Sequence, residues 1–365
     1  QLIRERMSEL GLLWPEDGSR ERRAFVWLQF PVVLTGEKAA WVDFYIIPEF
    51  GREFIAATRN NGNPPFGWVS DAAMHAVREA VLTNKPLTLG WGALTKNAVD
   101  HGAAFWEHFC GLRNNSLVRS THGDAGSVAL VIEAMKLAGV GSASRIAIIG
   151  ANGAIGESIA RQVGKFNPAS LVLVGRPDKA GETKNHDRLA VLAREMKAQD
   201  VQIHQHADRA CLDNDSNVVI VATNGVEKVH PAHLCEGALV LDVTAPPACN
   251  PSDDWKARNI MVLRAGCGQF HDPRVIPEDF GYISGERISD VGAGGERVIW
   301  GCTGETIARA IFDRTGHLAG PAVPDAEVEW SRDAFARLSF VPQPPNMFGR
   351  VLTWDEVRQH VAESR

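Results

Sequence analysis

The fold of this chain is decided by one stretch, Arg145-Ile-Ala-Ile-Ile-Gly150-Ala-Asn-Gly153-Ala-Ile-Gly156-Glu-Ser-Ile-Ala160. An apolar run ends at the first glycine, two more glycines follow at a spacing of three residues, and a helix is predicted to begin at once. The first glycine allows a tight turn, the second a close approach to a pyrophosphate, and the third close packing of helix on strand. The helix N-terminus also attracts phosphate. We therefore predict a dinucleotide-binding turn, with a glycine-rich turn in an unliganded domain as the alternative. Its residues are Gly150, Asn152, Gly153, Ala154, Ile155 and Gly156.

Around this stretch, short apolar runs alternate with predicted helices, which is the pattern of a parallel sheet covered on both faces. We predict an α/β fold, with a Rossmann-type NADPH-binding domain at residues 119–300. The predicted strands are Arg145–Ile149, Ser170–Val174, Val201–His204, Asn217–Val221, Ala238–Val243 and Ile260–Leu263. The clearest predicted helices are Gly126–Ala138, Ala154–Val163 and His186–Ala198.

The loop after the second predicted strand selects between the two nicotinamide cofactors. An acidic side chain there binds the ribose 2′-hydroxyl of NAD. This chain instead has Arg176, which is suited to clamp a 2′-phosphate, and Lys179, which adds positive charge. Asp178 comes two residues late and follows a proline, so NADPH is the expected cofactor; a solvated surface charge is the alternative for the arginine. After the fourth strand, Thr223 and Asn224 are expected beside the cofactor.

The residues before this sheet predict an α+β substrate domain at positions 1–118. Its predicted strands are Ala24–Phe30 and Trp41–Ile47, and its predicted helices are Asp71–Leu82 and Ala98–Phe109. Core packing explains its many aromatic side chains, and an apolar groove for a long substrate is the alternative. They include Trp14, Trp27, Trp41, Trp68, Trp91 and Trp106.

Composition narrows the classes of function. The chain has 365 residues and a formal net charge of −6, which gives no reason to expect a nucleic-acid partner. Its apolar runs are shorter than the roughly 20 residues of a membrane span, and its start lacks the apolar stretch of a signal peptide. The six cysteines are scattered, without a CxxC pair, so we expect thiols. A soluble, cytoplasmic protein without stable membrane insertion is expected, and an oligomer is compatible with this composition.

A candidate nucleophile, Cys302, lies where a predicted strand gives way to a predicted helix, Thr303–Asp313. A helix N-terminus lowers the pKa of a thiol and raises its thiolate fraction. The neighbouring Gly301 and Gly304 are expected to leave room for an acyl group. A buried packing cysteine is the alternative, and Cys267 is the rival nucleophile. With a final helix at Thr353–Glu363, residues 301–365 predict a helical C-terminal segment.

Polar residues before the predicted helix Gly126–Ala138 supply the acid–base candidates. Asp124 or Ser127 is suited to cap this helix, whereas His122 is suited to protonate a leaving group. His271 is a second candidate. A proline interrupts the run from His230 to Cys235, so no metal site is expected there.

Together these residues resemble the long-chain acyl-[acyl-carrier-protein] reductases of cyanobacteria, from about Leu89 to Asp313. The family's glycine-rich turn is similar to Gly150–Gly156, its arginine after the second strand to Arg176, and its Gly-Asn-Thr type turn to Thr121–Asp124. Its Ala-Cys-Phe-Ala-Glu element, whose cysteine carries the acyl group, is similar to Gly301–Glu305, with cysteine and glutamate at the same spacing.

The resemblance implies NADPH-dependent reduction of an acyl thioester, on acyl-carrier protein or coenzyme A, to an aldehyde. Cys302 is then the nucleophile, and Glu305 orients the site or is an exposed residue that complements the helix dipole. The chain departs from the family at His122, at Asp124 and in the N-terminal domain, so the reaction type carries over better than the acyl chain. A dehydrogenase of shikimate or methylene-tetrahydrofolate type, without covalent catalysis, and an NADPH-binding sensor are the alternatives.

Overall fold

The structure is a computed structural model that describes residues 25–33, 39–46, 64–92, 95–196, 200–205, 215–223, 229–244, 247–270 and 298–364. They fall in two compact units. The first unit comprises the described parts of 1–123 and 306–321, and the second the described parts of 124–273, 278–305 and 322–365. The domain boundaries expected from the sequence, after residues 118 and 300, stay predictions.

Strands and helices alternate along much of the described chain. The strands are β1 (Phe25–Val33), β2 (Ala39–Ile46), β3 (Leu87–Gly90), β4 (Val118–Thr121), β5 (Arg145–Ile149), β6 (Ser170–Val174), β7 (Val201–His204), β8 (Val218–Val221), β9 (Leu239–Asp242), β10 (Met261–Arg264), β11 (Cys267–Phe270), β12 (Val298–Trp300), β13 (His317–Leu318), β14 (Phe340–Pro342), β15 (Asn346–Met347) and β16 (Arg350–Val351). The helices are α1 (Pro64–Thr83), α2 (Thr95–Ala98), α3 (Ala103–His108), α4 (Cys110–Arg113), α5 (Asp124–Leu137), α6 (Ala154–Gly164), α7 (Lys184–Glu195), α8 (Asp253–Ala257), α9 (Gly301–Ile311), α10 (Asp325–Arg337) and α11 (Trp354–Glu363), with a 3-10 turn at Pro231–His233.

The first unit contains a parallel sheet of order β13-β4-β3 and an antiparallel pair, β1 and β2. Core packing is confirmed for Trp91 and Trp106, which are buried in its hydrophobic cluster with Phe105. The indole N–H of Trp106 donates to Ser120 Oγ at 2.8 Å, so this ring is also fixed by a hydrogen bond. The side chains of the three earlier tryptophans, Trp14, Trp27 and Trp41, lie outside the described residues.

The continuous helix expected at Ala98–Phe109 is wrong, because the chain breaks between α2 and α3. The break consists of Asp100, His101 and Gly102, whose φ angles are 46°, 52° and 87°. Positive φ belongs to the left-handed region and cannot continue a right-handed helix. The apolar residues of the segment do recur at helical spacing, but they belong to two short helices, α2 and α3.

The second unit is built on a six-stranded, wholly parallel sheet of order β7-β6-β5-β8-β9-β10. All six predicted strands are confirmed, three with the expected bounds and three with one or both ends differing by one residue. From β5 the chain proceeds through β6 to β7 at one edge, and from β8 it proceeds through β9 to β10 at the other edge. Doubly wound dinucleotide-binding sheets have this arrangement. A crevice at the carboxyl ends of β5 and β8 therefore follows from the topology.

Helices α5 and α6 pack against each other, and α10 packs against α5. The C-terminal residues 301–365 are not helical throughout, because β14 pairs antiparallel with β11 and completes the sheet β12-β11-β14. The predicted final helix is confirmed as α11, which begins with a capping box formed by Thr353 and Glu356. Within the described residues, every helix is too short or too polar to cross a membrane.

Burial in the core of the sheet predicts that two valine-to-alanine substitutions change the free energy of unfolding by different amounts. Val219 on β8 is fully buried, whereas Val191 on α7 is 47% exposed. Val219→Ala removes buried methyl groups and leaves a cavity, so it should lower the free energy of unfolding by about 2 kcal/mol. Val191→Ala should change it by less than about 0.5 kcal/mol. Urea unfolding followed by circular dichroism measures both; equal effects would contradict the burial of β8.

Candidate functional site

The glycine-rich turn lies at the carboxyl end of β5, where the strand order reverses. Gly150 has a φ of 92°, and a Cβ built on it would lie 2.5 Å from the carbonyl oxygen of Ala222. A Cβ on Gly156 would overlap the carbonyl oxygen of Gly150, so only glycine lets α6 lie this close to the strand. The geometric roles predicted for these two glycines are therefore confirmed.

The start of α6 is open toward the space in front of the turn. Gly153 is the N-cap residue with extended backbone, it is exposed, and none of the described side chains caps the helix. A Cβ on Gly153 would meet its nearest atom, the carbonyl oxygen of Gly150, at 3.3 Å. The first N–H groups of a helix have no intrahelical acceptor, so those of Ala154, Ile155 and Gly156 are available to an anion. These residues fit the pyrophosphate of a dinucleotide.

The neighbouring strand places Thr223 against this turn. A Cβ on Gly150 would lie 3.1 Å from the backbone nitrogen of Thr223, a residue that lies just beyond the end of β8. Thr223 is half-buried. The sequence prediction thus agrees with its position at the crevice, whereas Asn224 lies outside the described residues.

The loop after β6 carries the two predicted 2′-phosphate ligands, and the side chains of Arg176 and Lys179 are both exposed. Asn152 of the glycine-rich turn reaches this loop. Its Oδ1 accepts a hydrogen bond from the Arg176 N–H at 3.4 Å, and its Nδ2 donates to Asn185 Oδ1 at 3.2 Å. Asn152 therefore ties the turn to the loop, a role that its spacing alone does not reveal.

The candidate nucleophile is the second residue of α9. Strand β12 ends at Trp300 and the helix begins at Gly301, so Cys302 lies in the first turn and is half-buried. Its predicted position at a strand-to-helix junction is confirmed. The rival Cys267 is on β11, opposite Trp300, and is buried in a small cluster with Val298. Packing accounts for Cys267 in this setting.

The room that Gly301 and Gly304 were expected to leave for an acyl group is not present. A Cβ on Gly301 would lie 2.7 Å from Cα of Ser127, and one on Gly304 would overlap the ring of Phe340. That expectation is wrong, because both positions are filled by close packing. The glycines allow the first turn of α9 to lie directly against the first turn of α5 and against β14.

Glu305 joins the same two helices. Its side chain is fully buried, so the alternative of an exposed first-turn glutamate is wrong. Its Oε2 accepts a hydrogen bond of 2.8 Å from the N–H of Gly126, one of the unpaired amides at the start of α5. The carboxylate also complements the positive end of that helix. Glu305 therefore fixes the turn that carries Cys302.

The predicted acid, His122, follows β4 and is fully buried. Its ring lies edge-to-face with that of His101, with centroids 5.5 Å apart. Helix α5 begins at Asp124, two residues earlier than expected, so Asp124 and Ser127 both lie within its first turn and neither is the residue that precedes it. The role of His122 as an acid stays a prediction, and His271 lies outside the described residues.

Comparisons with known proteins give only distant similarities. Neither a family model nor a curated protein matches the chain. The quinone oxidoreductase of Thermus thermophilus, also solved with NADPH, is 18% identical over 37% of this chain and 42% of its own, with a TM-score of 0.29. The shikimate 5-dehydrogenase of Listeria monocytogenes, solved with shikimate and NAD, is 14% identical over 40% and 53%, with a TM-score of 0.31. An Escherichia coli oxidoreductase/dehydrogenase of unknown specificity is 19% identical over 39% and 40%, with a TM-score of 0.30. The chain thus spans between 40% and 53% of these neighbours' lengths, and none of these similarities carries an argument about activity.

The packing of α6 on β5 predicts the effect of adding one methyl group. Gly156→Ala places a Cβ against the carbonyl oxygen of Gly150, so it should lower the free energy of unfolding by about 1–3 kcal/mol and weaken NADPH binding. Gly141→Ala is the control, because a Cβ there would meet no atom within 4 Å. Thermal unfolding and cofactor titration measure both; an unaffected Gly156→Ala would contradict the close approach.

Because the carboxylate of Glu305 is buried, we expect two substitutions of this residue to reduce stability by different amounts. Glu305→Ala leaves the buried N–H of Gly126 without its acceptor, so it should lower the free energy of unfolding by about 1–3 kcal/mol. Glu305→Gln keeps an acceptor oxygen and should retain most of the stability. Equal losses in the two variants, measured by urea unfolding, would show that the hydrogen bond is not the stabilising contact.

Proposed function

We propose that the chain is an NADPH-dependent oxidoreductase. The observation that carries this proposal is the turn Gly150–Gly156, an anion-accepting helix start at the switch point of a doubly wound parallel sheet. In such sheets the carboxyl-end crevice at the switch point binds dinucleotides. The amides of Ala154 to Gly156 would hold the pyrophosphate, and Arg176 with Lys179 the 2′-phosphate. Thr223 would line the nicotinamide half of the crevice.

We propose further that the substrate is an acyl thioester of acyl-carrier protein or coenzyme A, and that the product is an aldehyde. The support is the similarity of Gly301–Glu305 to the acyl-carrying element of the acyl-carrier-protein reductases. The position of Cys302 in the first turn of α9 adds to it, because a helix N-terminus stabilises a thiolate. A plain redox step needs no such thiol.

The chemistry assigned to Cys302 balances as two transfers. Its thiolate attacks the thioester carbonyl carbon, a new carbon–sulfur bond forms, and the bond to the carrier sulfur breaks, so that the carrier leaves as a thiol after taking one proton. NADPH, when bound, supplies a hydride to the acyl carbon. The carbon–sulfur bond to Cys302 then breaks, which releases the aldehyde and regenerates the thiolate.

The surrounding residues would assist by position. The backbone N–H groups of Thr303 and Gly304, in the first turn of α9, are suited to stabilise the oxyanion that forms on the carbonyl oxygen. Glu305 holds that turn against α5 through its hydrogen bond to Gly126, and this contact would keep the thiol of Cys302 in a fixed position. His122 is kept as the proposed proton donor for the departing carrier.

A second candidate is a dehydrogenase of shikimate or methylene-tetrahydrofolate type, which needs no covalent step. One observation favours it: close packing already accounts for Gly301 and Gly304, so neither glycine requires an acyl group nearby. In that case Cys302 is a packing residue, and alkylation of it should leave activity largely intact.

Intact-protein mass spectrometry separates the two candidates. The protein is mixed with a panel of acyl-coenzyme A and acyl-carrier-protein thioesters in the absence of NADPH. We expect an acyl adduct on the wild type, none on Cys302→Ala, and removal of the adduct with release of aldehyde when NADPH is added.

Cys110→Ala is the matched control, because Cys110 is an exposed thiol on α4 and should leave the adduct intact. An adduct that persists on Cys302→Ala would refute the assignment of the nucleophile. No adduct on any variant, in a protein that binds NADPH in a separate titration, would favour the second candidate or a cofactor-binding sensor.

A further inference from the structure

The carboxylate of Asp178 accepts three hydrogen bonds from the helix and the strand end that neighbour its loop. Its Oδ1 accepts a hydrogen bond from the N–H of Asn185 at 2.7 Å. Its Oδ2 accepts one from the N–H of His186 at 3.0 Å and another from Nε2 of Gln205 at 2.6 Å. The first two donors lie in the first turn of α7, so Asp178 caps this helix from the preceding loop, and the third follows the end of β7.

The electrostatic setting favours the ionised form of Asp178. Partial desolvation raises the pKa of this carboxyl group, but the hydrogen bonds from Asn185, His186 and Gln205 outweigh it, and the pKa is lowered. A carboxylate is also stabilised at the positive end of a helix. Protein donors thus take three of its about four acceptor positions, which leaves at most one for a ribose hydroxyl.

The other end of the same loop is held by the glycine-rich turn. Asn152 accepts from the N–H of Arg176 and donates to Asn185, a residue that also donates to Asp178. A Cβ on Gly175 would lie 2.7 Å from Cδ1 of Leu189 and 3.3 Å from Cγ of Asn152, so the start of the loop is tightly packed. The backbone that carries Arg176 is therefore fixed on both sides.

We infer that Asp178 is a positioning residue that sets the preference for NADPH over NADH by fixing the loop that presents Arg176 and Lys179. An acidic residue that binds the ribose 2′-hydroxyl favours NAD, whereas Asp178 would favour NADPH. This inference rests on the proposed NADPH site and adds the residue on which its selectivity depends.

The test compares dissociation constants of NADPH and NADH, measured by calorimetry on the full chain. Asp178→Ala should weaken NADPH binding about tenfold through the loss of three hydrogen bonds to a charged group, while NADH binding changes less than about twofold. Loss of a negative charge near a phosphate would by itself strengthen NADPH binding, so weakening cannot arise from charge alone.

Asp187→Ala is the matched control, because this exposed aspartate lies in the first turn of the same helix. Among the described residues, its carboxylate contacts Thr183, the N-cap residue of α7, and His186, which is within the helix. It should leave both constants within about twofold of the wild type. Gln205→Ala removes a single bond to the same carboxylate and provides a second variant if Asp178→Ala does not fold. It should shift the preference in the same direction by a smaller factor.

The possible results distinguish failure of the inference from failure of the proposed function. Wild type that binds neither cofactor would overturn both. Wild type that prefers NADPH, together with an unchanged preference in Asp178→Ala and Gln205→Ala, would overturn the inference alone. Equal weakening of both cofactors would also overturn it, because Asp178 would then support the whole site and not the selectivity.

Discussion

The contact between the first turn of α6 and the carbonyl oxygen of Gly150 is the constraint on which the candidate site depends. Only a residue without a Cβ at position 156 permits it, and only a residue that tolerates positive φ fits at position 150. The contact points the start of α6 at the crevice where the strand order reverses. The same helix start then becomes an anion site, because its amides have no acceptor within the helix.

The parts of this arrangement that the sequence predicts are those set by neighbours in the chain. Short apolar or β-rich runs bounded by glycine and polar residues predict all six strands of the sheet. The four inner strands, β5, β6, β8 and β9, are buried almost throughout, and burial on both faces demands continuous apolar side chains. The glycine spacing predicts the turn for the same local reason. The prediction of one helix at Ala98–Phe109 is wrong because the break depends on left-handed residues, Asp100 and His101, that periodicity does not reveal.

The parts that the sequence does not predict are set by contacts across long separations. Glu305 accepts from Gly126, which lies 179 positions earlier, and no local spacing indicates that pairing. The sequence suggests open space for an acyl group at Gly301, yet Ser127 fills that space. The sequence suggests that Glu305 and Gly301 assist catalysis directly. Their contacts show that they hold the first turn of α9, which carries Cys302, against α5. In this chain the two closely spaced glycines, Gly301 and Gly304, precede the buried Glu305 where α9 packs against α5.

Hydrogen–deuterium exchange with and without saturating NADPH tests the central claim, that the turn Gly150–Gly156 binds the dinucleotide. With NADPH bound, we expect slower exchange for the amides of Ala154 to Gly156 and for the loop from Arg176 to Lys179. The amides near Gly237, before the amino end of β9 and remote from the crevice, should be unchanged. Unaltered exchange at the turn, or protection confined to other segments, would show that Gly150–Gly156 does not bind the dinucleotide.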